Sequence, residues 1–64
     1  MKQFIVLTAI TGERIAIRPS DIIHIEECNG EKPKIIVKTT YTNWNISAKE
    51  HSVESILKKV ENDD

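Results

Sequence analysis

The sequence has one cysteine, two glycines, two prolines and only three aromatic residues of the Phe, Trp and Tyr types. With Cys28 as the single thiol, no disulfide can form within the chain, which indicates a reducing compartment. Long apolar runs are also missing, and the N-terminal one, which ends at Leu7, is too short for a signal peptide or a spanning helix. We therefore expect a cytoplasmic protein without membrane insertion.

The charges are nearly balanced, with a formal net charge of −1. Binding of nucleic acid rests on a surplus of Lys and Arg, so this balance argues against nucleic acid as a partner. At 64 residues, the chain is expected to form a single domain, residues 1–64. A domain of this size buries only about 60% of its unfolded surface, and small scaffolds commonly gain further burial from disulfides, metals or a partner subunit. Self-association is therefore expected.

Alternating apolar residues and turn signals predict an α+β domain. We expect a small antiparallel β-meander of four to five strands, open or barrel-like, with one C-terminal helix. The predicted strands are residues 4–8, 14–18, 22–27, 34–40 and 44–47, and the predicted helix is residues 53–61. Gly12 is expected at positive φ in the first hairpin turn. Pro19 should interrupt the sheet and start a corner.

The apolar pattern also predicts which faces are buried. The first strand is apolar on both faces, which is typical of a strand covered on both sides. On the helix, Val53, Ile56, Leu57 and Val60 form one stripe, with Ser52 as the N-cap. This stripe should pack on a sheet face that carries Ile15, Ile17, Ile23, Ile25, Ile35 and Val37.

Short motifs in a fixed order resemble the small flagellar and swarming-motility FlbD family. The matching residues are Leu7, Thr8, Gly12, Glu13, Pro19, Asp21, Ile22, Ile25, Glu26, Ser52, Val53 and Glu54. Two segments depart from the family pattern: the loop from Cys28 to Pro33 is longer, and Tyr41-Thr42-Asn43 replaces an Asn-Gly turn. The resemblance implies a cytoplasmic accessory protein without catalysis.

A second, weaker resemblance is to the start of a LytTR-type DNA-binding domain. The segment from Ser20 to Glu26 and the later Ser-x-x-Ser-Ile-Leu helix carry it. Such domains continue into basic and aromatic segments that enter DNA, and these are not found after the helix here. The resemblance together with the net charge therefore gives no expectation of DNA binding.

Two predicted strands each carry a pair of cations on one face, and two aromatic residues follow in the sequence. The candidate ligand- or partner-binding residues are Arg14, Arg18, Lys34, Lys38, Tyr41 and Trp44. Cations beside aromatic rings can hold an anionic or nucleotide-like ligand. In the other interpretation the cations solvate the open sheet face and pair with Glu13, Glu26 and Glu31, while Trp44 belongs to the core.

Catalytic and metal sites receive little support from the spacing. Asp21, His51 and Ser52 are the residue types of a triad, but adjacent side chains point apart and Ser52 is expected to cap the helix. His24, Glu26, Cys28 and His51 lack the compact spacing of zinc ligands. No enzyme activity, cofactor or metal is therefore expected.

The sequence thus predicts a non-enzymatic binding or assembly module. The alternative is an oligomer that captures an anionic or nucleotide-like small ligand at a subunit interface. In both cases we expect a homo-oligomer whose contact is the first strand or the face around Ile36, with cations at its rim. A protein partner is also compatible with this class.

Overall fold

Five antiparallel strands and one C-terminal helix make up the fold in the computed structural model, which describes residues 4–61. The strands are β1 (Ile5–Thr8), β2 (Arg14–Ile17), β3 (Ile22–Cys28), β4 (Lys34–Thr39) and β5 (Asn43–Ser47). Helix α1 is Val53–Glu61, and a single 3-10 turn occupies Pro19–Asp21. Each strand begins and ends within one residue of its predicted range. The predicted α+β class is confirmed.

The strands belong to two sheets rather than one continuous meander. β1 pairs with β2, and β3, β4 and β5 form a separate three-stranded sheet. A bridge between Ala9 and Ile46, with a hydrogen bond of 3.0 Å from the Ile10 N–H to the Asn45 carbonyl, joins the sheets. Within residues 4–61 no pairing connects β2 to β3, so the sheets do not close into a barrel. Because Pro19 has no N–H, the corner that it starts separates these two strands.

The core lies between the two sheets and the helix. Its buried side chains are Ile5, Leu7, Ile17, Ile35, Val37, Ile46 and Ile56. On β4 the alternation is strict: Ile35, Val37 and Thr39 point inward, as expected for a strand with one buried face. Trp44 is half-buried and packs on the same core.

The helix starts at a reciprocal cap. The Ser55 N–H donates to Ser52 Oγ at 3.1 Å, and the Ser52 N–H donates to Ser55 Oγ at 2.8 Å. This is the hydrogen-bond pattern of a capping box, with serine in place of the usual Glu or Gln at the third helical position. It confirms Ser52 as the N-cap. Gly12, at φ +93°, is likewise confirmed in the positive-φ region.

Two of the predicted burial assignments are wrong. Ile23 is 67% exposed, because a β-bulge shifts the register between Ile22 and His24 and leaves Ile23 as the extra residue. Leu57 is 43% exposed, and Ile56 is the helix residue that enters the core. Within one chain β1 is covered on one face only, since Val6 is 41% and Phe4 48% exposed.

α1 is short and amphipathic. None of the helical segments between residues 4 and 61 has the length and apolarity needed to cross a membrane.

Candidate functional site

The six predicted site residues do not form one site. Arg18, Tyr41 and Trp44 line a common cleft. Lys34 lines a different cavity, and Lys38 lies on the outer face of the three-stranded sheet. Arg14 is exposed beside the first hairpin turn, where it pairs in register with Thr8. The four cations are divided between two surfaces, because β2 and β4 belong to different sheets.

The cleft that holds three of the six residues has a volume of about 200 Å³. We call it the aromatic cleft. Its lining residues are Phe4, Ala16, Ile17, Arg18, Asp21, Thr39, Tyr41, Thr42 and Trp44. The Arg18 guanidinium lies 5.8 Å from the centre of the Phe4 ring, within the range of a cation–π contact.

The wall of the aromatic cleft that carries Tyr41 is built by Thr39. The buried Thr39 hydroxyl donates to the Thr42 carbonyl at 2.7 Å and accepts from the Thr42 N–H at 3.0 Å. The Thr40 N–H donates to the Asp21 carbonyl at 3.0 Å, which fixes this turn to the 3-10 corner. Sequence reasoning did not single out Thr39, although threonine hydroxyls are known to stabilise local turns in this way.

Charges in the aromatic cleft are balanced. Arg18 and Asp21 both line it, so the cleft has no excess of positive charge. Trp44 is half-buried against the core, whereas Tyr41 is largely exposed. This arrangement suits stacking or apolar contact better than the capture of a strongly anionic group.

The outer surface of the first hairpin is apolar in its centre and cationic at its ends. We call it the hairpin face, made up of Phe4, Val6, Arg14, Ala16 and Arg18. Val6 and Ala16 are paired in register, and all five residues are exposed. Phe4 also lines the aromatic cleft, so these two features are continuous.

The outer face of the three-stranded sheet is polar. Glu26 Oε1 lies 3.2 Å from His24 Nε2 and 4.0 Å from the Lys38 ammonium. Ile36 is half-buried and pairs in register with Glu26 on one side and Asn45 on the other. Ile36 is thus a single apolar side chain in polar surroundings, and the two pairs with Glu26 are exposed and weak.

The structure has further concave features, of which one contains a single predicted residue, Lys34, and another contains none. A cavity of about 430 Å³ at one end of the sheet, the lysine cavity, is lined by Ile10, Lys32, Pro33, Lys34, Ser47, Ala48 and Lys49. A groove of about 340 Å³ between β3 and α1, the helix groove, is lined by Pro19, Ile22, Ile23, His24, Ile25, Val53, Leu57 and Val60. The sequence contained the lysines, but their convergence depends on loops whose path it did not predict.

The residue types of a catalytic triad have structural roles here. His51 Nε2 accepts a hydrogen bond of 3.0 Å from the Thr8 N–H, and Ser52 Oγ caps α1. Burial lowers the pKa of His51, the nearby Lys59 charge lowers it further, and Glu50 partly opposes both. Over residues 4–61, no group of three His, Cys, Asp or Glu side chains is placed to hold a metal ion.

No family model, curated protein or solved structure matches the chain.

Proposed function

We propose that the protein is a small, non-enzymatic assembly module that works in the cytoplasm as a homo-oligomer, with the hairpin face as its contact surface. The observation that carries this proposal is the exposure of Phe4 and Val6 beside Ala16 on one strand pair. Contiguous exposed apolar side chains of this kind mark interaction surfaces, and a two-stranded hairpin gains much from being covered.

The hairpin face is favoured over the Ile36 face by its composition. Ile36 lies among polar partners and is half-buried already, so a contact there would bury little additional apolar area. The hairpin face has an apolar centre with Arg14 and Arg18 at its ends, which is the common arrangement of an interface core and its polar rim. A twofold dimer would place the same face of each copy against the other.

The resemblance to the FlbD family supports the same class of function. It implies an accessory protein without catalysis. The structural roles of His51, which accepts from the Thr8 N–H, and of Ser52, which caps α1, are compatible with that. The proposal takes from this resemblance the class of function, without a particular flagellar or swarming role. A protein partner would bind the oligomer.

The alternative function is a small-ligand binder at the subunit interface. It is favoured by one observation: Phe4 belongs both to the hairpin face and to the aromatic cleft. A dimer formed through the hairpin face would therefore border the cleft that contains Arg18, Tyr41 and Trp44. The ligand would stack on aromatic rings while Arg18 contacts an anionic group.

The test is the molar mass in solution, measured by size-exclusion chromatography with light scattering at micromolar concentration. We expect at least twice the 7.3 kDa mass of one chain. Val6→Lys places a charge in the centre of the hairpin face without disturbing the core, and should give a folded monomer. Ile23→Lys is the matched control, because it charges another exposed isoleucine, in the helix groove, and should leave the oligomer intact.

A wild-type monomer would refute the proposal. Dissociation by Ile23→Lys but not by Val6→Lys would move the contact to the helix groove, and would equally refute the hairpin face. Dissociation by Ile36→Lys alone would assign the contact to the other predicted surface.

A further inference from the structure

Three lysines surround the lysine cavity, and no acidic residue is among its lining residues. Only Lys34 of these was among the predicted binding residues, while Lys32 and Lys49 come from two separate loops. The cavity lies at the end of the sheet where β4 begins and β5 ends. It shares no residue with the hairpin face or the aromatic cleft.

Backbone hydrogen bonds hold the walls of the cavity in place. Lys34 opens β4 and pairs in register with Ser47, the last residue of β5. The Lys49 N–H donates to Ser47 Oγ at 3.3 Å, and the His51 N–H donates to the Ser47 carbonyl at 3.1 Å. Ser47 therefore organises the turn that brings Lys49 to the cavity.

The lysines of the cavity have no carboxylate partner among the described residues. Both ion pairs of residues 4–61 involve Glu26, which is paired with His24 and Lys38. In a chain whose net charge is −1, three lysine ammonium groups that have no carboxylate partner within residues 4–61 form a local positive field at one cavity. A concave surface lined by one sign of charge attracts ligands of the opposite sign.

The floor of the cavity is apolar. The Ile10 side chain is 53% exposed. Its backbone is held in place by a hydrogen bond of 3.0 Å from the Ile10 N–H to the Asn45 carbonyl. Pro33 and Ala48 also line the cavity. The volume of about 430 Å³ is within the range of about 300–1,000 Å³ that is typical of small-molecule sites. A bare inorganic anion would leave this floor uncovered.

We propose that the lysine cavity binds a small organic anion: a phosphate monoester or carboxylate that carries an apolar group. The anionic group contacts the lysine ammonium groups, above all those of Lys34 and Lys49, and the apolar group covers Ile10 and Pro33. The site is independent of the proposed assembly function, because none of its residues belongs to the hairpin face.

The experiment is a titration of the isotope-labelled protein followed by amide chemical shifts, with phenyl phosphate as the probe at low salt. We expect saturable shifts centred on Ile10, Lys34, Ser47 and Lys49. Benzoate should bind at the same residues. Inorganic phosphate lacks the apolar group and so tests the contribution of the apolar floor. Benzyl alcohol lacks the anionic group and so tests the contribution of the lysines. Both should bind more weakly than phenyl phosphate. Raising the salt to about 0.5 M should weaken binding, because exposed charges are then strongly screened.

Single substitutions distinguish the site from general attraction to lysine. Lys34→Gln and Lys49→Gln should each weaken phenyl phosphate about two- to fivefold, which is the range expected for exposed ion pairs. Ile10→Ser should weaken phenyl phosphate but not inorganic phosphate. Lys58→Gln is the matched control, because it removes an exposed lysine on α1, outside the cavity, and should leave the affinity unchanged.

Equal weakening by Lys58→Gln, or shifts spread evenly over the surface, would overturn the proposal. Equal affinity for phenyl phosphate and inorganic phosphate would overturn the role of the apolar floor. Vesicles of anionic lipid provide the last arm: binding to vesicles with no binding of soluble phenyl phosphate would show a membrane-surface contact in place of the small-molecule site.

Discussion

The Thr8 N–H donates a hydrogen bond of 3.0 Å to His51 Nε2, which connects the end of β1 to the segment before α1 across 43 positions of the chain. A ring nitrogen can accept only while it carries no proton, so this bond requires neutral His51 with its proton on Nδ1. Burial and the charge of Lys59 lower the pKa of His51 from its ordinary value near 6.5 and so favour this form, while Glu50 opposes the shift.

This bond predicts a loss of stability in mild acid. Unfolded His51 takes up a proton near pH 6.5, whereas the folded protein resists protonation until the pH reaches its lowered pKa. The contribution of His51 is therefore complete above about pH 6.5 and is lost as the pH falls below that value. In thermal melts between about pH 8 and pH 5, the wild-type melting temperature should fall more than that of His51→Gln.

His24→Gln is the control for this experiment, because it removes the other histidine and leaves the Thr8 contact intact. If His51→Gln and the wild type lose stability in parallel, the bond to Thr8 makes no pH-dependent contribution.

Two adjacent helix residues should differ sharply in their contribution to stability. Ile56 is fully buried and Leu57 is exposed. Ile56→Ala should lower the free energy of unfolding by about 2–5 kcal/mol, the usual cost of such a truncation in a core. Leu57→Ala should cost less, about 1–2 kcal/mol, because 43% of the Leu57 surface stays in contact with water and that share of the transfer free energy is not gained on folding. Urea denaturation measures both.

If Ile56→Ala removes the whole free energy of unfolding, that variant will not fold. Ile56→Val is therefore a second variant, and it should cost about 0.5–1.5 kcal/mol. A larger effect at Leu57 than at Ile56 would mean that α1 is rotated about its axis relative to the structure described here.

Gly12 and Gly30 form a matched pair for testing backbone strain. A Cβ added at either position meets no atom within 4 Å, but only Gly12 has positive φ, at +93°. Gly12→Val should cost about 1–3 kcal/mol through its backbone alone. Gly30→Val should stay within about 0.5 kcal/mol of the wild type, as is usual for exposed positions. Equal losses of stability for Gly12→Val and Gly30→Val in chemical denaturation would show that valine is not strained at position 12.

Local signals in the sequence were sufficient to predict the strands and the helix. Alternation along Lys34–Thr39, the glycine at position 12, the proline at position 19 and the serine cap at position 52 each act within a few residues. Their physical causes are steric limits on φ, the missing proline N–H and hydrogen bonds between neighbours. The α+β class followed from these causes, and the structure agrees with it.

Tertiary structure decided which residues meet. The bulge between Ile22 and His24 turned Ile23 outward. The local sequence does not predict this bulge, because it depends on how β3 pairs with β4. The division into two sheets separated Arg14 and Arg18 from Lys34 and Lys38, while loop paths brought Lys32 and Lys49 to Lys34. Such groupings depend on contacts between distant segments, and a side-chain pattern with a period of two or 3.6 residues carries no information about them.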